Sequence, residues 1–206
     1  MKIVSIKSVL VLMMIFFTVS CGDNESKGTQ EAKESKKELF YNHENTVLQW
    51  TAFKTTDKIA VKGTFNTVIV ENKGKGESVE EIINTTSFKI PTSTVFTDNE
   101  GRDVLLREYF FGAMMNTDTI YGSFINVKDG KGKVLIKMNE VEAKSDIKYE
   151  FVNDSLKVST ILLLETWKGS DALKSLNKVC YDKHTGSDGV SKTWSDVEID
   201  IITLLK

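Results

Sequence analysis

The chain predicts an all-β domain: an antiparallel barrel or sandwich of about eight strands, with two short helical segments set into it. Two observations lead there. From Leu48 onward the apolar residues recur with a period of two, which marks strands with one face buried and one in water. The links between these runs are short and rich in Asn, Asp and Gly, and short links join antiparallel neighbours.

Before the first strand comes a different kind of sequence. Met1 to Lys7 carries Lys2 and Lys7 and no acid, Val9 to Phe17 is wholly apolar, and Thr18-Val19-Ser20 leads to Cys21. A basic start, a short apolar run and small closing residues predict a signal peptide over residues 1–20. The run is too short to cross a membrane, which takes about 20 residues. Gly22 to Glu38 contains no apolar residue larger than Ala32. It cannot bury enough surface to offset chain entropy, so residues 21–38 are expected to form a disordered tether. The folded domain is expected over residues 39–206.

The strands follow in order. Leu48, Trp50 and Ala52 alternate with Gln49, Thr51 and Phe53. Ile59, Val61, Gly63, Phe65, Thr67 and Ile69 are expected on one face of a single long segment. Thr86, Phe88 and Ile90 form the next set, then Ile120, Gly122 and Phe124, then Val134, Ile136 and Met138, then Ile147, Tyr149 and Phe151. Val197, Ile199 and Ile201 against Asp196, Glu198 and Asp200 give the cleanest alternation. Turns are expected at Asn72 to Gly76, Asp129 to Gly132 and Asn153 to Ser155. One helical segment is expected over Asp103–Gly112, with Asp103 as its N-cap and Gly112 just past its end. The other starts at Ser170 or Asp171 and runs through Lys178, with Leu173 and Leu176 at helical spacing.

Composition narrows the function. The formal charge is −2, and the loss of Lys2 and Lys7 with the signal leaves 25 basic residues against 29 acidic ones, a charge of −4. No basic patch stands out, which argues against nucleic acid as a partner. The two cysteines are Cys21 and Cys180. With Cys21 lipidated, Cys180 has no partner, so the core and not disulfides must hold the fold. The two histidines are His43 and His184. Cys180 and His184 stand four apart, a spacing that opens some metal sites, but no second cluster completes it. They read as a buried free thiol and a histidine in a solvent loop, and no metal or cofactor is expected. No nucleophile elbow, metalloprotease helix or phosphate-binding glycine loop occurs, so an enzyme is not expected. Arg102-Asp103 borders the apolar cluster Val104, Leu105, Leu106, Phe110, Phe111, Met114 and Met115. The pair reads either as a helix cap with a surface ion pair or as a polar anchor at the mouth of an apolar pocket.

Several segments resemble the YceI-like family. Ala60-Val61-Lys62-Gly63-Thr64-Phe65 is similar to its second-strand x-V-x-G-x-F segment. Gly101 to Phe111 resembles its R-D-x-x-L-(K/R)-x-x-x-F-F segment. Ile120 to Phe124 and Lys192 to Val197 stand where the family places later strands. Members begin with Asp-x-x-His-Ser; here that region reads Leu48 to Thr56 and holds no histidine. The resemblance implies a secreted, lipocalin-like antiparallel barrel that binds a long isoprenoid chain such as a polyisoprenoid or a quinone tail. The residues expected to line it are Trp50, Val61, Phe65, Phe88, Phe110, Phe111, Met114, Ile120 and Phe124. The Met114-Met115 pair would give an adaptable entrance, and Arg102 would hold a quinone carbonyl or a phosphate at the mouth. Cys21 directly after small residues resembles the lipobox of bacterial lipoproteins. That resemblance implies a lipid on Cys21 and an anchor in the cell envelope, periplasmic or at the outer membrane or surface. The alternative is a structural or partner-binding envelope lipoprotein whose barrel is filled by its own side chains.

Overall fold

The structure is a computed structural model and describes residues 38–71 and 74–206. The expected signal peptide, the expected lipidation at Cys21, the expected tether up to residue 37 and the Asn72-Lys73 part of one expected turn lie outside the described residues. The strands are β1 (Leu39–Phe40), β2 (Val47–Lys54), β3 (Ile59–Phe65), β4 (Ile69–Glu71), β5 (Lys75–Gly76), β6 (Ser87–Pro91) and β7 (Val95–Phe96). They continue as β8 (Thr119–Lys128), β9 (Lys131–Met138), β10 (Val141–Val152), β11 (Ser155–Leu163) and β12 (Thr193–Leu204). The α-helices are α1 (Val79–Asn84), α2 (Glu100–Leu105), α3 (Ser170–Val179) and α4 (Tyr181–His184).

Ten strands form one antiparallel sheet in the order β4-β6-β8-β9-β10-β11-β12-β2-β3-β7, and β1 pairs with β5 apart from it. The two ends of the sheet share chain. β4 continues β3 while pairing with β6, and β7 continues β6 while pairing with β3. The Asn66 backbone N–H donates to the Thr94 carbonyl across the joint at 2.8 Å. Counting each continued pair once, eight ribbons of chain curl around one core, the lipocalin-like barrel expected from the sequence.

Tight turns set the register. Asp129-Gly130, Asn139-Glu140 and Asn153-Asp154 each hold two successive residues at positive φ. This is the type I′ geometry whose twist matches that of the strands it joins. The single long segment expected from Ile59 to Ile69 is divided instead. Val61 and Phe65 are half-buried in β3, but Ile69 is exposed and Val68 and Val70 take the inward positions. The inward positions are odd-numbered at Val61 and Phe65 and even-numbered at Val68 and Val70, so the inward face switches where the barrel turns its corner.

The helices close the two ends. α1, absent from the sequence expectation, buries Val79, Ile82 and Ile83 against Phe124, Leu156 and Val158. Ser78 caps it, its side chain accepting from the Glu81 N–H at 3.2 Å. Asn84 at its end donates to the Val127 carbonyl and accepts from the Val127 N–H, pairing with the backbone of a bulge in β8. The opposite end is covered by α2 and α3. α2 begins three residues earlier than expected. Its N-cap is Asn99, whose side chain accepts from the Arg102 N–H at 2.9 Å. Asp103 is buried inside the helix and accepts from the Thr97 hydroxyl at 2.6 Å. α3 is capped by the backbone of Gly169, not by Ser170 or Asp171. Trp167 is 1% exposed at this end and donates its indole N–H to the Ile136 carbonyl at 2.9 Å.

Candidate ligand cavity

The site grows from the segment that follows α2. Leu106–Phe110 winds as a single π turn and Phe111–Ala113 as a 3₁₀ turn. Widened turns of this kind recur at functional positions because they re-aim side chains. Here Phe110 and Phe111 meet edge to face, with centroids 5.0 Å apart, and Phe111 approaches Phe65 of the barrel wall at 6.1 Å. Beneath them lies a cavity of about 120 Å³ walled by Trp50, Phe65, Ile120, Leu176, Val197 and Ile199, among others. Thr193 is its one polar residue apart from the tryptophan indoles.

A second chamber of about 250 Å³ abuts the first and shares Trp50, Ala52, Leu106, Leu176 and Thr193 with it. Its remaining wall sets apolar Phe53, Val61 and Leu105 beside a polar, basic side. Arg102, Lys54, Lys183, Asn99 and His184 all face it, together with Cys180. His184 is not in a solvent loop. It ends α4, half-buried, with Nδ1 2.7 Å from the Thr193 hydroxyl and 3.2 Å from Asn177 Oδ1. Burial first, then the charges of Lys54 and Lys183, push its pKa down to about 4. Burial raises the Cys180 thiol, and the same two lysines oppose that rise. A third cavity of about 70 Å³ lies at the α1 end and contains Phe88 and Phe124, whose centroids are 5.8 Å apart.

The structure therefore divides the expected lining residues among three places. Trp50, Phe65, Phe110, Phe111 and Ile120 share the apolar cavity. Val61 and Arg102 belong to the basic chamber, which Trp50 also lines. Phe88 and Phe124 sit at the far end. Met114 is buried and Met115 is exposed, and neither borders these cavities. Glycine makes room for two of the aromatics. A Cβ on Gly63 would overlap the Trp50 indole and one on Gly122 the Phe88 ring, and each pair lies directly across a ladder.

Sequence reasoning missed Leu106, Leu173, Leu176 and Trp194 as lining residues, and Lys54, Lys183 and His184 as the polar rim. The i, i+3 spacing of Leu173 and Leu176 was a usable signal. Lys54, Lys183 and His184 had none, because they come from β2 and α4, far apart in the sequence. A wide concavity of about 880 Å³ lies elsewhere. It opens where β10 and β11 part beyond Ile147↔Thr160, and mixed charges and exposed Ile161 and Leu163 line it. Among the described residues, no group of three or more His, Cys, Asp or Glu side chains is placed to hold a metal, and no helix is long and apolar enough to cross a membrane.

No sequence-family profile matches the chain, and no curated protein matches it by sequence. Solved structures do match by shape. A polyisoprenoid-binding domain from Saccharophagus degradans aligns over 82% of this chain and 97% of its own, with a TM-score of 0.53 at 9% identity. BcnA from Burkholderia cenocepacia aligns over 81% and 99%, with a TM-score of 0.51 at 7% identity. A YceI protein from Campylobacter jejuni covers 71% of this chain and 84% of its own at 18% identity, with a TM-score of 0.45. The first two share the fold, and with the eight-ribbon closure they establish a lipocalin-like antiparallel β-barrel.

Proposed function

We propose that the protein binds a long apolar chain, of the polyisoprenoid or quinone-tail class, inside its barrel and serves as a lipoprotein of the cell envelope anchored through Cys21. The cavity under the π turn carries this reading, because its wall is apolar but for Thr193 and the tryptophan indoles, and its roof, Leu106–Phe111, is irregular turn and not a strand of the barrel. The neighbour described as a polyisoprenoid-binding domain shares the fold and supports a binding role over catalysis. A tail buried here gains about 25 cal/mol per Å² of apolar surface removed from water, so its length governs affinity. The basic start, apolar run and Cys21 of residues 1–21 support the anchor.

A second reading has an observation of its own. The apolar cavities measure about 120 and 70 Å³, whereas pockets for small ligands span roughly 300–1,000 Å³. A barrel filled by its own side chains, serving as a structural or partner-binding lipoprotein, fits these volumes as they stand. Tail binding requires the Leu106–Phe111 roof to lift and join the chambers. Mass spectrometry of lipid extracted with the purified protein separates the two readings. Co-purified isoprenoid that is lost in Ala52→Leu, which fills the wall shared by both chambers, supports tail binding; protein free of lipid supports the filled barrel. Membrane fractionation of Cys21→Ala tests the anchor, with release into the soluble fraction expected.

A further inference from the structure

The outer wall of the barrel changes character at one end. On β12 the outward positions read Asp196, Glu198 and Asp200 and then Ile202 and Leu204. On β10 they read Lys144, Asp146, Lys148 and Glu150 and then Val152. β2 opens with Val47 and continues outward with Gln49. The pairing places these changes at one level. Ile202 lies directly across from Val47, and Leu204 and Val152 flank Ser155 from either side. Phe40 of β1 exchanges two backbone hydrogen bonds with Lys206, at 2.6 and 3.0 Å, two residues beyond Leu204. Phe40, Val47, Val152, Ile202 and Leu204 thus form one band, each of them 39% to 62% exposed. None of the five borders the apolar cavity or the basic chamber. Single exposed apolar residues are ordinary on a protein surface, whereas a contiguous group on one face marks a contact surface.

We propose that this band docks on a lipid bilayer, the same bilayer that holds the lipid of Cys21. The proposal rests on the reading of Cys21 as the anchor. Residues 22–38 are all that separate Cys21 from Leu39, where β1 begins. Fully extended, such a stretch reaches about 60 Å, so the anchored domain never leaves the neighbourhood of the surface. The chain enters the domain through Leu39 and Phe40, at the band itself. The part of the outer wall closest along the chain to the anchor is therefore the part that sheds its charges. A tether makes the second contact intramolecular, so a face too weak to hold the protein alone is engaged once the anchor is in place. Apolar faces of this kind sit about 5–10 Å into the boundary between head groups and acyl chains. Lys206 stands beside Phe40, and Lys157 lies across from Ile202 and pairs with Asp200 at 3.1 Å. Lysine suits the same layer, because its stem lies along apolar surface while its ammonium group stays among polar groups.

The test uses the full chain, produced with its own leader in a bacterial host and reconstituted in vesicles of phosphatidylethanolamine and phosphatidylglycerol. The mass of the Cys21 peptide and flotation with the vesicles report the anchor. An environment-sensitive thiol fluorophore at Val152→Cys reports the band. The same fluorophore at Lys144→Cys, outward on the same strand, is the control, and Cys180 is buried. Brominated lipid in the vesicles is expected to quench the Val152→Cys probe, whose emission shifts to the blue, and to leave the Lys144→Cys probe unchanged. Adding Val47→Glu and Ile202→Glu to Val152→Cys should abolish the quenching while flotation persists. Flotation with the Val152→Cys probe unshifted and unquenched overturns the docking face and leaves the anchor standing. A blue shift without quenching shows that protein, a second copy included, covers the band, and it overturns the proposal. Equal quenching at both positions also overturns it, because the contact is then not confined to the band. Chain with no lipid mass on Cys21 overturns the anchor and with it this proposal.

Discussion

Asp103 shows how a residue can be read correctly in kind and wrongly in place. Its carboxylate does hold the start of a helix, but from inside it, as acceptor for the Thr97 hydroxyl, while Asn99 does the capping. The two roles separate on mutation. Asn99→Ala is expected to cost about 1 kcal/mol, as lost N-caps do. Asp103→Ala leaves the Thr97 hydroxyl in a protein environment without its acceptor and is expected to cost about 1–3 kcal/mol. Urea titration of both variants checks the order. His184 makes a second prediction at this scale. Its folded pKa of about 4 lies below its ordinary value of 6.5. Between these values the unfolded chain binds the proton and the folded one does not, so stability falls as pH drops from about 6.5 to about 4. Melting temperatures across that range should decline in the unaltered protein and decline less in His184→Gln.

At the scale of elements, α1 is the clearest example of a signal present and unread. Ser78-Val79-Glu80-Glu81 before Ile82-Ile83 carries the spacing of a capping box, yet six residues are too few for a period of 3.6 to stand out. Tertiary contacts secure the helix. Asn84 pairs with the β8 bulge, and the Tyr149 hydroxyl donates to Glu80. That bond, before the backbone bond at Glu80, holds the Glu80 carboxyl below its ordinary value, while burial first and the Glu80 bond second hold Tyr149 above its own. A depressed carboxylate contributes stability above its unfolded pKa and loses it as pH falls through the folded one. A raised phenol contributes below its unfolded pKa and loses it as pH rises through the folded one. The bond is therefore worth most between the ordinary values of 4.5 and 10.0. Tyr149→Phe should melt earlier than the unaltered protein across that range, with the difference closing in stronger acid. A constant difference at every pH would assign the loss to packing instead.

For the molecule as a whole, strand periodicity made most of the barrel legible. β9 and β10 alternate most cleanly, because one face meets the core along most of the strand. The corner between β3 and β4 was not legible, since nothing local in Asn66-Thr67-Val68 announces a change of face. The site was half legible for a similar reason. Aromatics at Trp50, Phe65, Phe110 and Phe111 advertise themselves, whereas Lys54, Lys183 and His184 acquire meaning only when β2, α2 and α4 meet. The closing ladder has one more consequence. β12 pairs with β2, joining Thr193 to Lys54 and Ile202 to Val47, so the last strand of the chain completes the wall that the first long strand begins. Contacts so far apart in sequence are slow to form because the loop between them must close first. A chain ending at residue 192 is expected to show no cooperative melting transition, and the full chain to refold in milliseconds to seconds rather than microseconds. During synthesis, then, the barrel cannot shut until β12 has left the ribosome, and until that moment the edges of β2 and β11 stay open to any chaperone that holds extended chain.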